Sequence, residues 1–219
     1  MQRQGTKWPG AAAAIAATGL ALAFVVWLAV VGDETLAAID RAGVLAFRTP
    51  EGALRGGWRA EQALIDLTAL GGWTVLTLVS VFAVALFLRA GRRREAVAAA
   101  LALPVSAALA EGLKALIARP RPDLVAHLGH ANGWSFPSGH ALESAAVWLT
   151  LAGLCSRAAP RLSPALMIAA VGLSLAVAAS RVALGVHWPT DVVAGWLMGA
   201  AVAACALAVA GPALNTPRR

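Results

Sequence analysis

Residues 180–191 read SRVALGVHWPTD and set three ionisable side chains, Arg181, His187 and Asp191, between two apolar runs. Those runs, 162–183 and 192–210, each approach the about 20 residues that cross the hydrocarbon core of a bilayer. Ionisable groups at the ends of membrane spans mark functional sites, because burying them without a purpose is costly. The stretch therefore fixes two expectations together. The fold is built from membrane helices, and its chemistry lies where two of them are joined.

Composition extends the first expectation to the whole chain. The 219 residues are 59% hydrophobic and 13% charged, with a mean hydropathy of +0.72. A soluble domain carries about a quarter charged residues. Six apolar segments are long enough to be read as spans: 11–31, 67–88, 96–118, 141–156, 162–183 and 192–210. They predict an all-α, six-transmembrane-helix bundle forming one domain over residues 1–219. The first run is too long for the apolar region of a signal peptide, so it is read as a retained helix. Cys155 and Cys205 lie inside apolar runs and read as small hydrophobes, not as a disulfide or metal site.

The net charge of +7 could indicate nucleic acid, but the basic residues cluster beside the apolar segments, as topology signals do. Arg3 and Lys7, Arg89 and Arg92 to Arg94, Arg157 and Arg161, and Arg218 and Arg219 all fall on one face. The positive-inside rule makes that face cytoplasmic. Both termini are then inside, and residues 119–139 and 181–191 are outside. The extracytoplasmic segment 32–66 carries Leu36, Ile39, Ala42, Gly43 and Phe47 at helical spacing, with Asp33, Asp40, Arg41 and Arg48 on other faces. That pattern predicts one or two short helices lying on the membrane surface. Trp58, Trp73, Trp134 and Trp188 near span ends read as interfacial anchors.

Three polar constellations share the outer depth. KALIARPRP, Lys114 to Pro122, ends the third span, and PSGH, Pro137 to His140, opens the fourth. The third constellation is the 180–191 stretch. Ser138 suits a helix N-cap, Gly139 lets a ligand approach the backbone, and a helix start attracts anions. His187 and Asp191 are four apart, so a helical turn brings them together, and a carboxylate on one ring nitrogen leaves the other nitrogen's lone pair free. Lys114, Arg121 and Arg181 would repel one another in an empty pocket, whereas a phosphate dianion removes that cost.

The joint pattern is Lys-x6-Arg-Pro (Lys114, Arg121, Pro122), Pro-Ser-Gly-His (137–140) and Ser-Arg-x5-His-x3-Asp (Ser180, Arg181, His187, Asp191). It resembles the type 2 phosphatidic acid phosphatase family of membrane lipid phosphatases, whose signature the soluble vanadium haloperoxidases share. TALGG, residues 68–72, also fits, whereas residues 1–66 are only loosely covered. The resemblance implies that His187 attacks phosphorus, Asp191 holds its tautomer, and His140 serves as general acid and then base. Lys114, Arg121, Arg181, Ser138 and the Gly139 N–H would bind the phosphoryl oxygens. It implies no metal and no other cofactor, since three cations and a helix terminus supply the positive charge. Arg119 lies in the variable stretch of the first motif and is given no role; Glu111 and Glu143 are read as orienting neighbours.

The expected activity is hydrolysis of a phosphate monoester or pyrophosphate of a membrane lipid through a phosphohistidine. Undecaprenyl pyrophosphate, phosphatidylglycerol phosphate, phosphatidic acid and lipid A phosphate are the candidate substrates. The expected setting is a bacterial plasma membrane with the site facing outward, and no nucleic acid as partner. Two other readings differ in class. A haloperoxidase would oxidise halide in the same cradle, and a transporter or lipid binder would hold phosphate esters without releasing phosphate.

Overall fold

The computed structural model describes residues 34–211. The first expected span, 11–31, and the terminal basic residues lie outside that range. The described residues form seven α-helices: α1 (Glu34–Leu45), α2 (Gly57–Ala69), α3 (Trp73–Arg89), α4 (Arg93–Ile117), α5 (Gly139–Ala158), α6 (Ser163–Ala183) and α7 (Pro189–Ala210). A short 3₁₀ turn, Pro160–Leu162, leads into α6. Four stretches are long and apolar enough to cross a membrane: Gly57–Arg89, Arg93–Ile117, Pro160–Ala183 and Pro189–Ala210.

The expected span 141–156 falls in α5, which is not among those four, and its position in the bundle explains why. Ala141, Leu142, Ala145 and Ala146 are fully buried, enclosed by α4, α6 and α7. A helix wrapped by other helices needs no lipid-facing stripe, so α5 tolerates Glu143, Ser144 and Thr150 on its buried surface. Helix α3 is the opposite case. Leu78, Val81 and Phe82 are more than 60% exposed, as suits side chains that meet lipid.

Small residues let α5 and α7 cross closely. A Cβ at Gly195 would fall 2.6 Å from the Ser138 carbonyl oxygen, and one at Gly199 would fall 2.2 Å from that of Leu142. This Gly-x3-Gly spacing presents one flat face of α7 to the backbone of α5, and packing of that kind drives helix association in lipid. The contact also holds the starts of α5 and α7 beside each other. That juxtaposition joins the PSGH and 180–191 stretches.

The expected span 67–88 is interrupted. Helix α2 ends at Ala69, and α3 begins at Trp73 after a turn through Gly71 and Gly72. A Cβ on Gly71 would meet Val177 Cγ1 at 2.4 Å, so glycine allows this turn to press on α6 and α5.

Segment 32–66 holds α1 and most of α2, and the side of this stretch turned to the bundle carries charge. Asp40 and Arg48 are 1% and 4% exposed, whereas Ile39 and Phe47 are 53% and 37% exposed. The reason is what α1 packs on. Its inner face meets the polar start of α7, where charged side chains find partners; Gly43 is so close that a Cβ there would strike Pro189 Cγ at 2.4 Å. Arg48 donates from Nη1 to the Ala183 carbonyl at 2.7 Å, bracing the end of α6.

The turns between α2 and α3, α4 and α5, and α6 and α7 lie at one end of the bundle. The opposite end is basic. There Arg92 pairs with Glu95 at 3.1 Å, and Arg157 donates to the Leu207 carbonyl at 2.8 Å.

Candidate active site

The turn from α6 into α7 sets the central histidine. Gly185 takes φ +76°, a left-handed conformation glycine adopts freely, and a Cβ there would lie 2.6 Å from Val125 Cγ2. The chain then runs through His187, which is 3% exposed, and Pro189 opens α7. Asp191 is the third residue of that helix, and its Oδ2 accepts the Trp188 backbone N–H at 2.9 Å. This capping bond fixes Asp191 by local helix geometry. Its Oδ2 then lies 3.6 Å from His187 Nδ1, somewhat beyond hydrogen-bond length.

The far ring nitrogen identifies the tautomer. His187 Nε2 lies 3.2 Å from Arg121 Nη1, and a guanidinium can only donate. Nε2 therefore carries the lone pair, and Nδ1–H faces Asp191. Burial pushes the His187 pKa down to about 4, against the upward pull of Asp191, so the imidazole is neutral at neutral pH. A neutral ring with a carboxylate behind it is set up as a nucleophile.

The start of α5 lies beside this ring. The Ser138 backbone N–H donates to the Asp191 carbonyl at 3.1 Å, tying the two stretches together. Ser138 occupies the N-cap position, yet its hydroxyl makes no capping bond, and its Oγ is buried without a partner. A Cβ on Gly139 would lie 3.5 Å from both Lys114 Nζ and Glu143 Oε1, which locates those side chains at the helix start. His140 is within electrostatic reach of Arg181, His187, Lys114 and Arg121. Arg181 is 4% exposed and donates from Nη1 to Thr68 Oγ1 at 3.1 Å, while its Nε is buried without a partner. Thr68 belongs to the TALGG stretch. Buried donors without acceptors are rare, and Ser138 Oγ and Arg181 Nε are two of them.

All eight residues anticipated from the sequence thus belong to one end of the bundle, but two of them are engaged in ways the motifs do not reveal. Arg121 donates to the carbonyls of Gly133 (3.0 Å), Val186 (2.7 Å), Asn132 (2.8 Å) and Trp134 (3.1 Å). Its fork therefore organises the loop 132–134 and covers His187 Nε2. Lys114 pairs with Glu111 at 2.7 Å, the orienting contact anticipated for that glutamate.

Arg119, left without a role by its position in a variable stretch, makes three side-chain hydrogen bonds at the site. Its Nη1 donates to Asp191 Oδ1 at 2.5 Å and to Thr190 Oγ1 at 2.7 Å, and its Nη2 donates to Asp40 Oδ2 at 2.6 Å. Ser135 Oγ donates to Asp191 Oδ2 as well. Trp188 differs from the anchor role expected of it. Its Nε1 donates to the Pro120 carbonyl at 3.0 Å, and the Arg119 guanidinium stacks 5.6 Å from its ring centre. No hydropathy signal singles out Arg119 or Asp40. The only hint is charge inside segments that pack against helix ends.

Known proteins resemble this chain in sequence and fold. The PAP2 superfamily model matches residues 95–213. The chain is 32% identical to the decaprenylphosphoryl-5-phosphoribose phosphatase of Mycobacterium tuberculosis over 76% of this chain and 96% of that one. It is 41% identical to phosphatidylglycerophosphatase B of Bacillus subtilis over 40% of this chain and 44% of that protein. Among solved structures, the transmembrane PAP2 type phosphatidylglycerolphosphate phosphatase of Bacillus subtilis superposes with a TM-score of 0.73 at 27% identity, covering 86% of this chain and 93% of that one. LpxE of Aquifex aeolicus, at 22% identity and a TM-score of 0.55 over 80% of this chain and 93% of that one, shares the fold.

Proposed function

The chain belongs to the PAP2 superfamily, and from that premise we propose that it is an integral membrane phosphatase that removes phosphate from a lipid through a covalent intermediate on His187. The observation that carries this reading is the neutral, nearly buried His187, with Asp191 behind Nδ1 and a lone pair on Nε2 beside Arg121 and Arg181.

The steps follow from the contacts. Phosphate oxygens take the donors of Ser138 Oγ, Arg181 Nε and the α5 N-terminus, and compete with His187 for Arg121 Nη1, which uncovers Nε2. A phosphate entering among the cations offsets their repulsion and lets His140 take up a proton; the Nε2 lone pair then forms the P–N bond as the P–O bond to the lipid breaks, and His140 gives that proton to the leaving oxygen. Positive charge growing on the ring is met by Asp191. His140, now neutral, takes a proton from water as that water attacks phosphorus; the P–N bond breaks and inorganic phosphate leaves. The fixed cations offset charge spreading over the phosphoryl oxygens, so no metal is needed for that task.

The curated relatives differ in lipid and have phosphate release in common, which supports a reading that fixes the reaction and leaves the lipid open. Undecaprenyl pyrophosphate, phosphatidylglycerol phosphate, phosphatidic acid, lipid A phosphate and a polyprenyl-linked sugar phosphate are the substrates to compare. The same reading includes six spans, both termini in the cytoplasm and a site opening on the outer face, because the turns at the end opposite the site carry Arg89, Arg92, Arg93, Arg94, Arg157 and Arg161. Phosphate release from that panel in detergent, with His187→Ala alongside, tests the proposal. Release by the unaltered protein and none by His187→Ala is the expected result, and binding without release would favour a transporter.

A further inference from the structure

We infer that Asp40 and Arg119 are positioning residues that act on His187 through Asp191, so that α1 forms part of the catalytic apparatus; this rests on the phosphatase reading above. Asp40 is 1% exposed on a helix that is otherwise mostly open, and it lies 150 positions from its partners in α7. Its Oδ1 accepts the Thr190 backbone N–H at 2.9 Å, and its Oδ2 accepts Thr190 Oγ1 at 2.7 Å and Arg119 Nη2 at 2.6 Å. The N–H of Thr190 belongs to the first turn of α7, whose donors have no partner within the helix. Asp40 thus caps α7 from outside the helix while gripping the arginine.

Arg119 carries the connection onward. With Nη2 held by Asp40, its Nη1 meets Asp191 Oδ1 at 2.5 Å and Thr190 Oγ1 at 2.7 Å. A planar guanidinium with two anchored ends cannot rotate, and it turns the Asp191 carboxylate about its own axis. Oδ1 is then committed to Arg119, which leaves Oδ2 as the oxygen facing His187 Nδ1 at 3.6 Å. Neither Asp40 nor Arg119 touches the ring. Without the grip, Ser135 and Trp188 hold Oδ2 alone and Oδ1 loses the partner that sets the plane of the carboxylate. The docking of α1 is tight enough to transmit this, since Gly43 leaves no room for a methyl group beside Pro189.

The test uses the full chain in detergent and the probe that the unaltered protein turns over fastest among dioctanoyl phosphatidic acid, dioctanoyl phosphatidylglycerol phosphate and farnesyl diphosphate. Asp40→Asn keeps the shape and one acceptor for Thr190, and Arg119→Lys keeps the charge but loses the fork. Each is expected to lower kcat by about 10- to 100-fold, the range known for outer partners that orient metal-bound histidines, with KM within about twofold. Gly43→Ala, which shifts α1 without altering a charge, should lower kcat in the same direction. In an Asp191→Asn background, Asp40→Asn should cost nothing further, because the residue it acts through is already disabled. An unchanged kcat in an active, folded Asp40→Asn protein, a loss confined to KM, or full additivity with Asp191→Asn overturns the inference and leaves the phosphatase reading intact. Should the unaltered protein release phosphate from none of the probes, both fall.

Discussion

Replacing Asp191 with Asn keeps the shape of the side chain and removes its charge. Asp191 is fully buried, and its Oδ2 lies 3.6 Å from His187 Nδ1, so the carboxylate is the negative charge nearest the ring. At an effective dielectric of about 20, opposite unit charges at that separation attract by between about 4 and 5 kcal/mol. Only part of a charge has developed on the ring at the transition state, so the loss should be about half to three-quarters of that. At about 1.36 kcal/mol per decade, kcat should fall between about 30- and 600-fold. The Asp191 side chain touches none of the phosphate donors, and Ser138 meets only its backbone carbonyl, so KM should move by less than about threefold. The assay is steady-state phosphate release in detergent, with a thermal melt to show that the capping bond to Trp188 has not been lost along with the fold. A loss below about fivefold in a protein that melts normally would refute the view that Asp191 stabilises charge on His187.

The remaining expectations concern pH, metal and packing. His187 is held at a pKa of about 4, below the ordinary 6.5, by burial, with Asp191, Arg121 and Arg181 facing it. The rate kcat/KM should therefore stay high as pH falls through 6.5 and drop only as it nears about 4; an acid limb centred near 6.5 would show that the ring is not buried as described. The same depressed value means that the unfolded chain binds the proton first, so thermal stability should decline as pH falls from about 6.5 to about 4. Full phosphate release is expected in excess EDTA, and loss of turnover that returns with added divalent cation would contradict the metal-free cradle. Gly199→Ala would drive a methyl to 2.2 Å from the Leu142 carbonyl, so it should destabilise the bundle by about 1–3 kcal/mol or more, read as a lower melting temperature in detergent. An unchanged melt would mean that α5 and α7 do not cross at this point.

Much of the site is legible in the sequence because its chemistry restricts residue type. A phosphoryl acceptor with a lone pair, a carboxylate one turn away and several cations at one depth leave few substitutes, so Lys114, His140, Arg181, His187 and Asp191 stand out against an apolar background. Spans are legible wherever lipid is the neighbour, as for α3, α4, α6 and α7. The reading weakens where protein is the neighbour. Helix α5 is enclosed by other helices and so lacks the uniform apolarity of a lipid-facing span. Across residues 39–48 the apolar spacing singles out Ile39 and Phe47, which stay exposed, and gives no sign that Asp40 and Arg48 are buried, because the surface they meet is polar. Burial of a charge depends on partners far along the chain, and Asp40 finds Thr190 only after α7 has folded beside it. Arg121 teaches the same lesson at the site itself, since four carbonyls from loop 132–134 and Val186 engage a fork that the motif alone assigns to phosphate.

The most direct test of the account is to look for the bond it requires. A substrate carrying labelled phosphorus is mixed with the purified protein, quenched in alkaline detergent within the first turnover, and the chain is digested and mapped by mass spectrometry. The account predicts an acid-labile, alkali-stable phosphoryl group on His187, absent from His187→Ala. Turnover that proceeds with no adduct, or with the label on any other residue, would contradict it.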